Sequence, residues 1–340
     1  MAKRRFFLSI IIFSFVGAIL LVLHLHQPSA GSIADLNGNT EPYWIEQMQS
    51  HGANKAKDLF IRSVLYHDLS YSRTHREAHE FGGALFSVLG KNGFNACIGE
   101  FQYGCFHELV GRTIAQNGLA AVNELNQICM DGSDAFDTGI CQHGLGHGIQ
   151  AYFGYGRENL EESLAVCSSL EGNDPIGGCT GGIYMEYNFQ TMLGDEADIR
   201  KSENTLEPCD SLPEKLQNAC VFWQPEWWWR SHFDAVIDDS NIKEMGDLCR
   251  STKELNEAFI NTCFQGIGNF LILTKNDSGV ERASHVCNLS AAGNELHKRT
   301  CLRQAINSLI SQGVVSKDSS ICGSLVEVDR KRCLETVNSI

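Results

Sequence analysis

The sequence predicts an all-α protein of stacked two-helix repeats, an α/α solenoid or curved array, with local disulfides and a transmembrane helix ahead of it. Three observations carry this. The fourteen cysteines all follow residue 96 and fall into near-neighbour pairs: Cys97/Cys105, Cys129/Cys141, Cys167/Cys179, Cys209/Cys220, Cys249/Cys263, Cys287/Cys301 and Cys322/Cys333. The second members of these pairs are 32 to 43 residues apart, the period of a helical hairpin that stacks on its neighbours. Apolar residues recur at helical spacing between Gly, Asn and Asp boundaries, and almost nothing alternates as a strand would.

Taken in order, residues 1–5 form a short stub in which Lys3, Arg4 and Arg5 precede an apolar run over residues 6–23, broken only by Ser9, Ser14 and Gly17. That length spans a bilayer, and the flanking charges put the N-terminus in the cytoplasm and the remainder outside. The expected localisation is therefore a single-pass anchor with the C-terminal domain periplasmic or extracellular. A cleaved signal peptide competes with this, although Pro28-Ser29-Ala30 fits an A-x-A site poorly. Residues 24–42, rich in Gly, Ser and Asn, read as a flexible linker. The body, 43–340, carries predicted helices over Ala53–Leu69, Thr74–Leu89, Cys105–Gln116, Leu119–Met130, Cys141–Tyr155, Leu160–Leu170, Cys179–Leu193, Cys220–Phe233, Ile242–Cys249, Leu255–Leu273, Val280–Leu289, Leu296–Ser311 and Cys333–Val337.

From the third pair on, the first cysteine closes one predicted helix and the second opens the next, so each pair can staple a helix-to-helix connection. Pairing within a hairpin, such as Cys105 with Cys129, remains open at this level. An exported chain favours disulfides over thiolate metal binding, and no C-x2-C pair occurs. The net charge of −14 and the lack of a basic stripe argue against nucleic acid as a partner.

The disulfide-stapled α/α pattern resembles the Sel1-like cysteine-rich repeat proteins of bacterial surfaces at the level of architecture, which implies a concave partner-binding face. The segments His75-Arg-Glu-Ala-His79-Glu-Phe-Gly82 and Cys141-Gln-His143-Gly144 also resemble stretches of uncharacterised exported proteins, a resemblance that implies no activity.

Histidines mark one repeat face. Two and six residues after each opening cysteine, one helical turn apart, stand His107 and Gly111, His143 and His147, Gly181 and Met185, Phe222 and Glu226, Gln265 and Asn269, and Arg303 and Asn307. His75 and His79 extend the series N-terminally. Equivalent positions of stacked hairpins line up, so His75, His79, His107, His143 and His147 are the expected metal ligands, with Glu80, Glu108 and Glu186, and also Glu77, as outer carboxylates or base. An all-imidazole set suits zinc, copper, nickel or iron. The competing reading is polar packing between repeats, eased by Gly82, Gly111, Gly144, Gly146 and Gly148.

Four of the five tryptophans sit in Phe222-Trp-Gln-Pro-Glu-Trp-Trp-Trp-Arg230. Pro225 is expected to kink or restart the helix, and at least one ring to meet solvent or a ligand, because consecutive side chains cannot share one buried face. Trp223, Glu226 and Trp227 thus form a candidate groove for a peptide, glycan or protein partner; the competing reading is a wide core plug that makes up for the missing glycine register, with Trp228 or Trp229 on the rim. No H-E-x-x-H, C-x-x-C-H, G-x-S-x-G or P-loop motif is present. The sequence thus supports two functions: a metal-binding protein working through activated water or redox chemistry, and a non-enzymatic scaffold gripping its partner by the Trp groove.

Overall fold

The computed structural model describes residues 40–67, 71–97, 101, 103–131, 135–193, 199–270 and 279–311, and, further on, 322, 323, 327, 330, 331 and 334. Among the described residues there are helices and no strand. They are α1 (Thr40–His51), α2 (Ala53–Tyr66), α3 (Tyr71–Leu89), α4 (Gly104–Asn117), α5 (Val122–Met130), α6 (Ala135–Phe153), α7 (Arg157–Ser168), α8 (Cys179–Phe189), α9 (Glu214–Ser231), α10 (Asp239–Ser251), α11 (Phe259–Phe270), α12 (Gly279–Ala291) and α13 (Glu295–Ser311).

Two layers result. One is a row in which α1, α3, α4, α6, α8, α9, α11 and α13 each pack on the next. The other holds α5, α7, α10 and α12: α5 packs on α6, and α7, α10 and α12 each pack on the row helices before and after them. The row is buried on several sides, which is why α6, α8 and α9 lack a clean polar face, whereas α10 keeps a narrow apolar stripe of Ile242, Met245 and Cys249.

Six disulfides tie a row helix to the segment just before it, four from α5, α7, α10 and α12 and two from the 3-10 turns that end at Cys97 and begin at Cys209: Cys97–Cys105, Cys129–Cys141, Cys167–Cys179, Cys209–Cys220, Cys249–Cys263 and Cys287–Cys301. The bridges therefore staple the connections, and the Cys105–Cys129 alternative is not formed. Cys322 is also disulfide-bonded; its expected partner, Cys333, lies outside the described residues.

Glycines set the distance between row helices. Gly82, Gly146 and Gly268 each face a backbone carbonyl of the next row helix, that of Cys105, Cys179 and Cys301 respectively. A Cβ at Gly146 would also lie 2.7 Å from the Ile183 nitrogen and 2.9 Å from the Gly182 carbonyl carbon. All of these are backbone atoms that cannot rotate aside. Gly146→Ala is expected to gain up to about 1 kcal/mol of helix propensity and to lose about 1–3 kcal/mol or more through overpacking. The net effect is destabilising. Gly139→Ala, in the same helix but with nothing within 4 Å of the added carbon, should be neutral or stabilising. Urea unfolding of both oxidised variants checks this, and a Gly146→Ala chain as stable as wild type would remove the glycine from the packing account.

Several expectations change. The sequence suggests a linker over 24–42, but α1 begins at Thr40, because Trp44 and Met48, one turn apart, are both buried, Trp44 against Phe60 and Phe81. Helix α9 starts at Glu214 and runs on through Pro225, which neither stops nor restarts it; the proline ring fills space that Gly266 leaves on α11. The membrane-anchored, single-pass localisation is overturned by the finding that, among the described residues, no helix is long and apolar enough to cross a membrane. Of the two longest helices, α3 carries Arg73, Arg76, Glu77 and Glu80, and α6 is broken up by Asp137, Gln142, His143, His147 and Gln150. The expected span, 6–23, lies outside the described residues.

Candidate metal centre

The five histidines converge. Rings of His75 and His79 are 4.7 Å apart, His107 stands 5.4 Å from His75 and 5.7 Å from His79, and it stacks on His147 at 4.8 Å; His143 is 5.0 Å from His147. Three helices deliver them: α3, α4 and α6. The glycine contacts also correct the register. Gly146 and Gly268 lie five residues after Cys141 and Cys263, so Gly82 makes Glu77 the counterpart of an opening cysteine. His79, His107 and His143 are therefore the equivalent set, with His75 one turn before and His147 one turn after.

Backbone and carboxylate oxygens fix most of these rings by one nitrogen. His75 Nδ1 lies 3.2 Å from the Phe101 carbonyl, His143 Nδ1 3.1 Å from the Gly177 carbonyl, His79 Nδ1 3.1 Å from Glu108 Oε2, and His147 Nδ1 2.8 Å from Glu186 Oε2. A carbonyl only accepts, so Nδ1 of His75 and His143 carries the proton and donates it; an ionised carboxylate imposes the same on His79 and His147. Each Nε2 is left with its lone pair whenever the ring is neutral. This is the way metal-binding imidazoles are oriented from behind.

Three consequences follow. His75 Nε2 and His79 Nε2 face each other at 3.2 Å. His107 Nε2 and His147 Nε2 are buried and lack a hydrogen-bond partner among the described residues. One ligand atom each from His75, His79 and His107 lie within 4.8 Å of one another, so this trio can hold a metal ion. Burial favours the neutral form of His75, His107 and His143: it pushes His75 down to about 3, helped by the neighbouring His79, and His143 to about 3, helped by His147. His107 is driven well below its usual range by burial and then by the neighbouring imidazoles, His147 first.

The outer groups are built as carefully. Phe101 and Tyr103 both adopt left-handed backbone, φ 61° and 59°, a strained turn that aims the Phe101 carbonyl at His75. Glu108 also takes Arg112 Nε at 2.7 Å, and Arg112 spans to both oxygens of Glu41 at 2.7 Å. Burial alone would raise the Glu108 carboxyl, but His79 and Arg112 outweigh it and hold it low. Just past α8, Gln190 turns left-handed at φ 50°, folding the chain back so that the Thr191 hydroxyl reaches Glu186 Oε2 and the Met192 N–H reaches Oε1. Tyr155 adds a 2.6 Å hydrogen bond to Oε1. Burial would raise Glu186 too, and the His147, Thr191 and Tyr155 contacts reverse this.

Of the predicted outer carboxylates, Glu108 and Glu186 touch histidines. Glu80 instead accepts the Glu41 N–H at 3.1 Å, and Glu77 lies 3.8 Å from Arg73. Glu41, Arg112, Tyr155 and Thr191 were not foreseen, since only the fold brings them to the site.

The aromatic patch is not an exposed groove. Trp223, Trp227 and Trp228 are buried, and their indole N–H groups donate to the carbonyls of Ile176 at 3.0 Å, Arg200 at 2.8 Å and Thr205 at 2.8 Å. Trp229 is half-buried, with its Nε1 enclosed. Trp223 and Trp227 do not line an open groove, because the Ile176 carbonyl takes Trp223 and the 199–211 segment closes over Trp227 and Trp228, which leaves Trp229 as the ring at the rim. Instead Trp223 walls the histidine cluster, 5.6 Å from His143. Glu226, also buried, accepts Arg230 Nη2 at 2.8 Å through Oε1 and leaves Oε2 without a hydrogen-bond partner among the described residues; burial first raises its carboxyl, against Arg230. No protein-family model, curated protein or solved structure matches the chain, so the Sel1-like resemblance stays at the level of an all-helical, disulfide-stapled fold.

Proposed function

We propose that this chain is a transition-metal protein whose centre is His75, His79 and His107, holding a borderline divalent ion such as zinc or copper with a position left for water or substrate. The observation that carries the reading is the pair of Nε2 atoms 3.2 Å apart on His75 and His79. With both Nδ1 protons committed to oxygens, two lone pairs face each other. Only a shared proton or a metal ion reconciles them. Two nitrogens bound to one tetrahedral zinc at its usual bond length stand about 3.3 Å apart, and the buried, unpartnered His107 nitrogen supplies a third donor, which a shared proton has no use for. Three imidazoles with an open position are the ligand set of catalytic rather than structural sites, so activation of a bound water is the chemistry the centre suits best. The six bridges suit a chain that matures where thiols are oxidised.

Metal content by mass spectrometry on the full-length chain, purified oxidised and without a His tag, tests the reading. Wild type should carry about one equivalent of a single borderline ion at this centre, and His75→Ala/His79→Ala should lower the content by that equivalent. A metal-free wild type whose thermal midpoint is unmoved by added zinc or copper would sink the proposal.

A further inference from the structure

Beyond His107 lies a second group of donors with different chemistry. His143 Nδ1 donates to the Gly177 carbonyl, so His143 Nε2 bears its lone pair, and that lone pair faces the Met185 sulfur at 3.2 Å. A thioether has no proton to give. Two electron-pair donors are thus held against each other, as His75 and His79 are, but one of them is soft. His147 adds a buried Nε2 without a hydrogen-bond partner among the described residues, on a ring 5.0 Å from that of His143. The arrangement follows from the repeat: His143 and His147 stand one turn apart on α6, and Met185 occupies on α8 the place that His147 occupies on α6, six residues after the opening cysteine.

The geometry points to a second metal site, in which His143 Nε2, His147 Nε2 and Met185 Sδ bind a single cuprous ion. Thioether with imidazole selects Cu(I) among the available ions. The surroundings agree with a singly charged guest. Trp223 forms an apolar wall 5.6 Å from His143, and a buried site pays less to desolvate one charge than two. The all-imidazole trio has no sulfur and takes the harder ion, so the two sites divide by ligand softness with the His107 ring between them, 5.8 Å from His143 and 5.4 Å from His75. This inference stands whether or not His75, His79 and His107 hold their ion.

The test titrates full-length oxidised chain with Cu(I) in competition with a colorimetric Cu(I) chelator, comparing wild type, Met185→Leu and His75→Ala/His79→Ala. Wild type and the His75/His79 variant should bind Cu(I) alike. Met185→Leu, which keeps volume and loses sulfur, should bind it more weakly by more than the roughly 10–100-fold that removal of an outer partner costs, with helical signal and thermal midpoint unchanged. Silver(I), a redox-silent stand-in, should shift the Met185 methyl resonance of the wild type. Absence of Cu(I) binding in wild type, equal binding by Met185→Leu, an unmoved methyl resonance at silver saturation, or loss of Cu(I) only in the His75/His79 variant would each overturn the site; the last would assign the ion to the trio instead.

Discussion

Full reduction of the disulfides is expected to unfold this protein at ambient temperature. The six described bridges close short loops, with sequence separations of 8 to 14 residues, and chain-entropy arguments give each about 2–3 kcal/mol. Together they rival or exceed the roughly 5–15 kcal/mol by which a folded domain is stable at all. Their placement sharpens the effect. In a stack of hairpins each unit contacts only its neighbours, so stability is a sum of local contributions that no distant core replaces. The outer helices are short, and a nine-residue helix such as α5 is not stable on its own; its bridge to α6 is what keeps it against the row. The far-UV circular dichroism of oxidised and fully reduced chain, each melted with and without reoxidation, checks this. A reduced chain that keeps its helical signal and melts cooperatively at the oxidised midpoint would show that packing alone suffices.

The parts of the fold legible in the sequence are those with a periodic signal. The cysteine beat reports the repeat and the stapled connections directly, because a bridge must join residues that are close in space. Helix α1 escaped because its apolar residues, Tyr43, Trp44 and Ile45 in a run and then Met48, do not repeat at helical spacing along its twelve residues. The histidine register slipped at α3 because Glu77 stands where the other units carry cysteine; the five-residue offset of glycine from the opening position, visible in Gly146 and Gly268, was the signal that would have set it. Of the two readings of the tryptophans, burial fits the core plug with Trp229 at its rim rather than the open groove, for a physical reason. One buried face per helix is the rule for a surface helix, whereas α9 lies in a row covered on several sides, so Trp223, Trp227 and Trp228 all go in. The histidines themselves were legible, since imidazoles at repeat spacing have to meet. Their supports were not. Glu41 reaches Arg112 across 71 positions of sequence, and no local pattern announces such a contact.

Glu186→Ala should be the most damaging single substitution at the site, costing about 3–5 kcal/mol. Its carboxylate is fully buried and accepts four donors: His147 Nδ1 and the Thr191 hydroxyl on Oε2, and the Tyr155 hydroxyl and Met192 N–H on Oε1. Removing it strands all four, of which His147 is buried and Tyr155, Thr191 and Met192 half-buried; a buried donor left unmade costs about 1–3 kcal/mol, and the half-buried ones less. Glu186→Gln separates stability from chemistry. Its one carbonyl oxygen can keep Tyr155 and Met192, while the amide nitrogen replaces Oε2. Thr191 can rotate its hydroxyl to accept from that nitrogen, but His147 can accept only by moving its proton from Nδ1 to Nε2. The ring would then carry N–H, instead of a lone pair, at Nε2. Glu186→Gln is therefore expected to lose less stability than Glu186→Ala and yet to weaken Cu(I) binding at His143, His147 and Met185, with Nδ1 and Nε2 of His147 exchanging their chemical-shift signatures in nitrogen-15 spectra. A Gln variant with the wild-type tautomer and wild-type Cu(I) affinity would show that Glu186 fills space at the site without setting which nitrogen faces the metal.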